Sequence, residues 1–437
     1  MRTILPTIRP LLTIIFSSVF LAACGGGGSS APAPDGFRVD PGDGQVTVSW
    51  VADPGVTYWL AYYQSATVST ISNTPHFWAA GSGKGLSTPL VQAGLINGDI
   101  YAFSMNARIN GGPGGTGTPS VTAVPRPGGA TWKAGTSMGS SVMRSVAYGT
   151  ATDTTIDYIA VGDAAALYKS TDGINWTAIT TGPASAAVDF RAAKYALAKF
   201  FAAGSAGQIY YSADMATWTR ATTTNTTAPL NALATNGATV VAVGDNGTIR
   251  YSTDGITWNA PTSVPTSISA TKLNGVTYSA SGLWIAVGAN GTLLTSSDAL
   301  TWTAQTNITP AITASLNDIA AQYSALTGTY AYVAVGASGT VTKSNDGVTW
   351  TSANVGTADL MAVVVPSTNS QFLTVSSAGD VFTGTTSLTS PYGVTWTDPR
   401  TTAAIPNTCA AANWLGMVSA QVQYVAVGSS GANCNSH

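Results

Sequence analysis

A chain of 437 residues, 45% of them hydrophobic, is long enough for two or three domains with substantial cores. Its 17 Lys and Arg stand against 19 acidic residues with no basic tract, a balance that argues against a nucleic-acid partner. All the acids are aspartate; glutamate, a good helix former, is absent, while strand-favouring Thr, Val, Tyr and Trp abound and 47 Gly and 21 Pro punctuate short runs, so an all-β chain is expected.

At the N-terminus, Arg2 and Arg9 give a positive region ahead of an apolar run, Leu11–Ala22, that is too short to cross a bilayer comfortably and is followed by small residues. Residues 1–23 therefore read as a cleaved export signal. The end of this stretch, Leu21-Ala22-Ala23-Cys24, resembles the lipobox of bacterial lipoproteins. That resemblance implies cleavage before Cys24, a diacylglycerol on its thiol and an acyl group on its new amine, which together anchor stably where one chain would not. Gly25 in place of Asp after the cysteine implies, by the sorting behaviour of that family, the outer membrane, on its periplasmic or surface face. Residues 24–34, a Gly/Ser run and then Ala31-Pro32-Ala33-Pro34, are expected to form a tether, flexible first and stiffer after.

Residues 35–125 carry alternating strands. Gln45-Val46-Thr47-Val48-Ser49-Trp50 has the period of two, as do Tyr58, Leu60 and Tyr62, and Tyr101, Phe103, Met105 and Ala107. Turn signals separate them at Asp53-Pro54-Gly55, Asn97-Gly98 and Gly111-Gly112-Pro113, the pattern of a β-sandwich. The stretch resembles a fibronectin type III domain: Trp50 matches the core Trp of the second strand, and Leu95 precedes Tyr101 by the tyrosine-corner spacing. The resemblance implies a spacer or adhesive module.

Residues 129–437 are repetitive. An apolar run ending in Gly, a short turn, another strand, a Ser-x-Asp turn and a closing Trp recur, with Trp176, Trp218, Trp258, Trp302, Trp350 and Trp396 at intervals of 40 to 48 residues. Five of these Trp lie eleven residues after Ala165, Gly207, Gly247, Gly291 or Gly339, and the sixth hairpin carries an insertion around Thr385–Tyr392. Such a period predicts propeller blades. A seventh copy opens at Tyr424-Val425-Ala426-Val427-Gly428 without its Thr-Trp, which stands instead at Thr131-Trp132, so an N-terminal strand is expected to complete blade seven and close the ring.

The Ser-x-Asp-Gly-x-Thr-Trp phrase resembles the Asp-box of sialidase-like propellers, one residue shorter, and the Val-Gly-x-x-Gly copies are similar to the photosystem II assembly-factor propellers. Asp172, Asp214, Asp254, Asp298 and Asp346 are thus structural turn residues, and the Asp-Gly turns among them are expected to need positive φ at both positions. Cys409 and Cys434, an even pair once Cys24 is lipidated, are expected to form a disulfide beside the closure seam. The histidines are His76 and His437, too few to complete a four-ligand set once the cysteines are lipidated or paired, so no metal or other cofactor is expected.

The chemistry of a hydrolase is thin. A sialidase site needs a Tyr–Glu pair, and no glutamate exists; for a two-aspartate glycosidase Asp157, Asp163, Asp189, Asp245, Asp318, Asp359 and Asp380 are candidates, with no readable pairing. Each innermost strand instead offers an equivalent seat at one channel mouth: Arg144, Arg191, Asn231, Asn274, Asn317, Met361 and Leu415. Two adjacent arginines suit a carboxylate and the amides suit a peptide or sugar, unless these side chains satisfy backbone groups at the strand entrances. The expectation is a monomeric, non-enzymatic recognition or assembly scaffold binding a protein or glycan ligand. The alternative is a carbohydrate-active propeller, for which the spare tryptophans Trp284 and Trp414 would have to be exposed.

Overall fold

The computed structural model describes residues 29–437 apart from 43, 68–69, 72–75, 79–85, 97–98, 111–114, 116, 126–128, 130–131, 151–155, 181, 184–187, 224–225, 325–328, 366–370, 387–393, 398–408, 410–412, 421–422 and 437. The export signal, Cys24, Thr131 and most of the insertion in the sixth hairpin lie outside the described residues. The chain is all-β and divides into two compact units, Met1–Pro127 and Gly128–His437.

In the first unit, Arg38–Gly42, Gln45–Ser49 and Leu90–Ala93 form one antiparallel sheet. The second sheet is built on Val56–Thr67 paired with Ile100–Ile109; His76–Trp78 joins the first of these and Val121–Ala123 the second. The period of two sends Val46, Val48, Tyr58, Leu60, Tyr101, Phe103 and Met105 into one core shared by both sheets, with Trp50 and Leu95. The Tyr101 hydroxyl accepts a hydrogen bond from the Ile96 N–H at 2.9 Å.

The second half of the expected tether is not free. Ser29–Ser30 pairs with Ile109 and Arg108, and Ala31, 3% exposed, is packed into the core. Val121–Ala123 covers only Tyr101–Phe103 of the long strand, so its other end offers unpaired backbone groups that the tether satisfies. Strand pairing there outweighs the flexibility of a Gly/Ser run.

In the second unit, antiparallel sheets begin in turn with Met143–Thr150, Phe190–Ala196, Leu230–Thr235, Leu273–Tyr278, Leu316–Ser324, Leu360–Val364 and Trp414–Ala420. Each of these first strands packs against the next, and Trp414–Ala420 packs against Met143–Thr150. The hydrophobic core is correspondingly divided into clusters between successive sheets, including one between the last and the first that holds Val425, Val427, Met143, Val146 and Tyr158. The closing tryptophans fill these layers by reaching back: Trp258 packs on Phe201 and Ile209 of the sheet before its own, and Trp350 on Ile285 and Val287.

Lys133–Ala134 pairs with Asn435 and Cys434 as the fourth strand of the last sheet, and Trp132, 2% exposed, packs on Leu373, Val375 and Val381. Cys409 and Cys434 are joined by a disulfide, Cα–Cα 6.3 Å, in the same cluster.

The Asp turns differ from the expected geometry. Positive φ falls on the residue after the aspartate alone, at Gly173, Met215, Gly255, Ala299 and Gly347. Each aspartate instead accepts two backbone N–H groups, as Asp254 does from Ile256 and Thr257 at 2.7 and 2.8 Å, plus the Ser252 hydroxyl at 2.9 Å. This is a side-chain cap on a single left-handed residue, which is why two copies tolerate Met or Ala there.

Candidate functional site

The first strands of the second unit line a channel of about 430 Å³, and Arg144, Arg191, Asn231, Asn274, Asn317, Met361 and Leu415 all contribute to its wall. A common backbone device puts them there. Every one is the extra residue of a β-bulge: the register slips between Met143 and Ser145, Phe190 and Ala192, Leu230 and Ala232, Leu273 and Gly275, Leu316 and Asp318, Leu360 and Ala362, and Trp414 and Gly416. A bulged residue has no partner across the ladder and is re-aimed out of the pleat.

The bulge also explains the recurrent glycine at the end of each apolar run. A Cβ on Gly244 would lie 2.0 Å from the Pro229 carbonyl oxygen, and Gly162, Gly204, Gly288, Gly336 and Gly428 are crowded in the same way by the strand opposite. The sixth sheet departs from the rule with Ser376 facing Leu360.

The two arginines are not free cations. Arg144 makes a two-pronged pair with Asp163, through Nε to Oδ1 and through Nη2 to Oδ2 at 2.8 Å. Those bonds, with help from the nearby Asp189 charge, raise the Arg144 pKa above its usual value despite partial burial. Arg191 donates from Nη1 to Asn231 Oδ1 at 2.9 Å, and the same nitrogen lies 3.6 Å from Asp245. The arc expected to be cationic is therefore an alternating Arg–Asp arc, because the sheets supply carboxylates directly after Gly162 and Gly244.

The asparagines form a relay around the rim. Asn231 Nδ2 donates to the Leu273 carbonyl, Asn274 Nδ2 to Leu316 and Asn317 Nδ2 to Leu360, at 2.8, 2.8 and 2.9 Å. Each amide thus ties its strand entrance to the next, satisfying backbone carbonyls that the bulges release. The residues after Arg144 and Asn317 do similar work deeper in: Ser145 Oγ accepts from Ala193 N–H at 3.1 Å, and Asp318 accepts from Ile319 and Val363 N–H at 2.8 and 2.9 Å.

Asp318 is the one carboxylate in the described channel lining. Burial pushes its pKa up to about 6, against the two N–H bonds and Lys194, which favour the anion. Asp157 is buried away from the channel, Asp189 and Asp359 accept from Ala164 and Ser338 N–H groups, and Asp380 bonds Ser376. No group of three metal-ligating side chains occurs among the described residues. Trp284 and Trp414 are buried, 1% and 2% exposed, and offer no platform for a sugar ring.

Sequence reading located the seats and missed their partners Asp163 and Asp245 and the channel-lining Lys194 and Asp318. Gly-Asp at 162–163 and 244–245, where other copies have Gly-Ser, Gly-Ala or, in the sixth, Ser-Ser, is the signal that would have paired the arginines.

No protein-family model matches the chain and no curated protein matches it. Among solved structures it is similar to YCF48 bound to a D1 peptide, at TM-score 0.52 and 14% identity, over 70% of this chain and 94% of that one. YCF48 from Cyanidioschyzon merolae gives TM-score 0.52 and 15% identity, over 70% and 98%. The WD40 repeats of RRP9 give TM-score 0.53 and 8% identity, over 70% and 97%. At these identities the likeness establishes the β-propeller fold.

Proposed function

We propose that the protein is a lipid-anchored component of the bacterial envelope that acts as a non-enzymatic recognition or assembly scaffold, receiving a polar segment of a protein partner at the channel mouth. The observation that carries the reading is the pooling of seven bulged side chains at one rim, mixing guanidinium, amide and apolar character. Arg191 retains donors beyond Nη1, and the Asn274 and Asn317 amides each spend only their nitrogen on the scaffold. A propeller neighbour bound to a peptide supports the same class of ligand. The burial of Trp284 and Trp414 weighs against the glycan alternative.

We read the sheets as seven blades, with Lys133–Ala134 closing the ring; the packing of each first strand on the next, and of the last on the first, supports that count. The first unit is read as a fibronectin type III domain, supported by its division into a three-stranded sheet and a larger one over a common core, with Tyr101 bonding back to Ile96. The anchor at Cys24 is tested by palmitate labelling with and without globomycin: labelled wild type and unlabelled Cys24→Ala are expected, and unlabelled wild type refutes the anchor. For the mouth, Arg144→Ala with Arg191→Ala should lose a partner recovered from envelope extracts while the melting temperature moves by less than about 3 °C, since half-exposed ion pairs are worth at most about 1 kcal/mol each. Retention of the partner by the double variant would refute the mouth as its site.

A further inference from the structure

Below the rim the channel holds two opposite charges that do not touch. Lys194 stands three residues after Arg191 on its strand, where the other first strands carry Ala147, Ala234, Thr277, Ala320, Val364 and Val418. Asp318 follows Asn317 directly, where the others carry Ser145, Ala192, Ala232, Gly275, Ala362 and Gly416. Each is the sole charge in its layer, and both face the same cavity.

Neither charge is explained by the scaffold. Ser145 shows that a neutral hydroxyl suffices to accept the N–H of the neighbouring strand, the task Asp318 performs for Val363. The Lys194 ammonium has no hydrogen bond or ion pair among the described residues, and burial lowers its pKa, opposed only by the Asp318 charge. A half-buried ammonium and a half-buried carboxylate are each costly when unpaired, and here both line one cavity beyond ion-pair distance of each other. A long, flexible lysine chain collapses onto a carboxylate within its reach; the separation leaves a gap with a positive and a negative end.

We propose that the channel is a binding site for a small zwitterion of the amino-acid type, its carboxylate held by Lys194 and its ammonium by Asp318. The volume of about 430 Å³ falls in the range of small-molecule sites and exceeds what such a ligand needs, so water shares the space. Both Asp318 oxygens retain a lone pair beyond the backbone N–H each accepts, so the carboxylate can take a ligand donor without releasing the strand. The site is independent of a protein partner at the rim.

The test is saturation-transfer NMR and calorimetry on the full chain with 4-aminobutyrate, using butyrate and butylamine as single-charge controls. Saturable binding of 4-aminobutyrate at least about tenfold tighter than either control is expected. Lys194→Met should reduce its affinity to that of butylamine, and Asp318→Asn to that of butyrate. Lys194→Gln, which keeps a polar end, serves as a second variant, and each variant's melting curve establishes that it is folded. No saturable binding by the wild type, or binding unchanged in folded Lys194→Met and Lys194→Gln, overturns the proposal. Equal affinity for butyrate and 4-aminobutyrate overturns the zwitterion and leaves a simple anion site.

Discussion

Reduction of the Cys409–Cys434 disulfide is the cleanest perturbation of the last sheet, because it keeps both sulfur atoms in their cluster and removes only the covalent link. The bond closes a loop across a separation of 25 residues. In the chain-entropy treatment that loop restricts the unfolded ensemble by about 12 cal/mol/K, or about 3.5 kcal/mol at 25 °C. Unfolding Gly128–His437, about 310 residues, releases roughly 0.65 kcal/mol/K at about 2.1 cal/mol/K per residue. The melting temperature of the propeller unit should therefore fall by about 5 °C in a thiol-free phosphine reductant. Hydrogen exchange should rise first in Asn433–Ser436 and in Lys133–Ala134, whose ladder partners they are. Scanning calorimetry with parallel exchange mass spectrometry reads both effects. An unchanged melting temperature with thiols shown to be free, or faster exchange in other sheets but not at this seam, would refute the reasoning.

Gly244→Val should cost about 3 kcal/mol or more in urea unfolding, since its Cβ meets the Pro229 carbonyl rather than a movable side chain, whereas Ser376→Gly should change stability by about 1 kcal/mol or less. Asp254→Ala should cost about 1 kcal/mol at pH 7 by releasing the Thr257 and Ile256 N–H groups. Those same bonds lower the Asp254 pKa, so its contribution is present above the ordinary carboxylate range and fades as pH falls through the folded-state value; the gap between wild type and variant should close below about pH 4. Asp318 has the opposite sign: with its folded pKa raised to about 6, its contribution is full below the unfolded value and is lost as pH rises through 6. Asp318→Asn should remove a pH dependence of up to about 3 kcal/mol between pH 4 and pH 7, measured by denaturant titration at each pH.

Much of the fold is legible in the chain because the repeats impose one solution many times over. The interval from turn to Trp fixed a hairpin length, and the structure shows what the interval preserves: Trp258, Trp302 and Trp350 each reach into the layer behind their own sheet. The seats at Arg144, Arg191, Asn231, Asn274 and Asn317 were legible for the same reason, since equivalent positions in repeats share a height. The bulge that aims them was not, because an extra residue in a strand leaves the alternation locally ambiguous. Nor were Asp163 and Asp245, which reach the rim from a different strand of the sheet, or the placement of Lys194 and Asp318 on one channel wall. Those juxtapositions depend on how successive sheets pack, which no single repeat encodes. Ser29–Ser30 was read as tether for a local reason too: its composition favours flexibility, and only the open edge beyond Val121–Ala123 makes it a strand.

The mouth as a partner-binding surface is tested most directly by placing a photo-crosslinking amino acid at Met361, on the apolar arc of the rim, and at Val348, an exposed position on the fifth Asp turn. After irradiation in intact cells, Met361 should give a discrete crosslinked protein that Arg144→Ala with Arg191→Ala abolishes, and Val348 should give none. A crosslink from Val348 with nothing captured at Met361 would contradict partner recognition at the channel mouth.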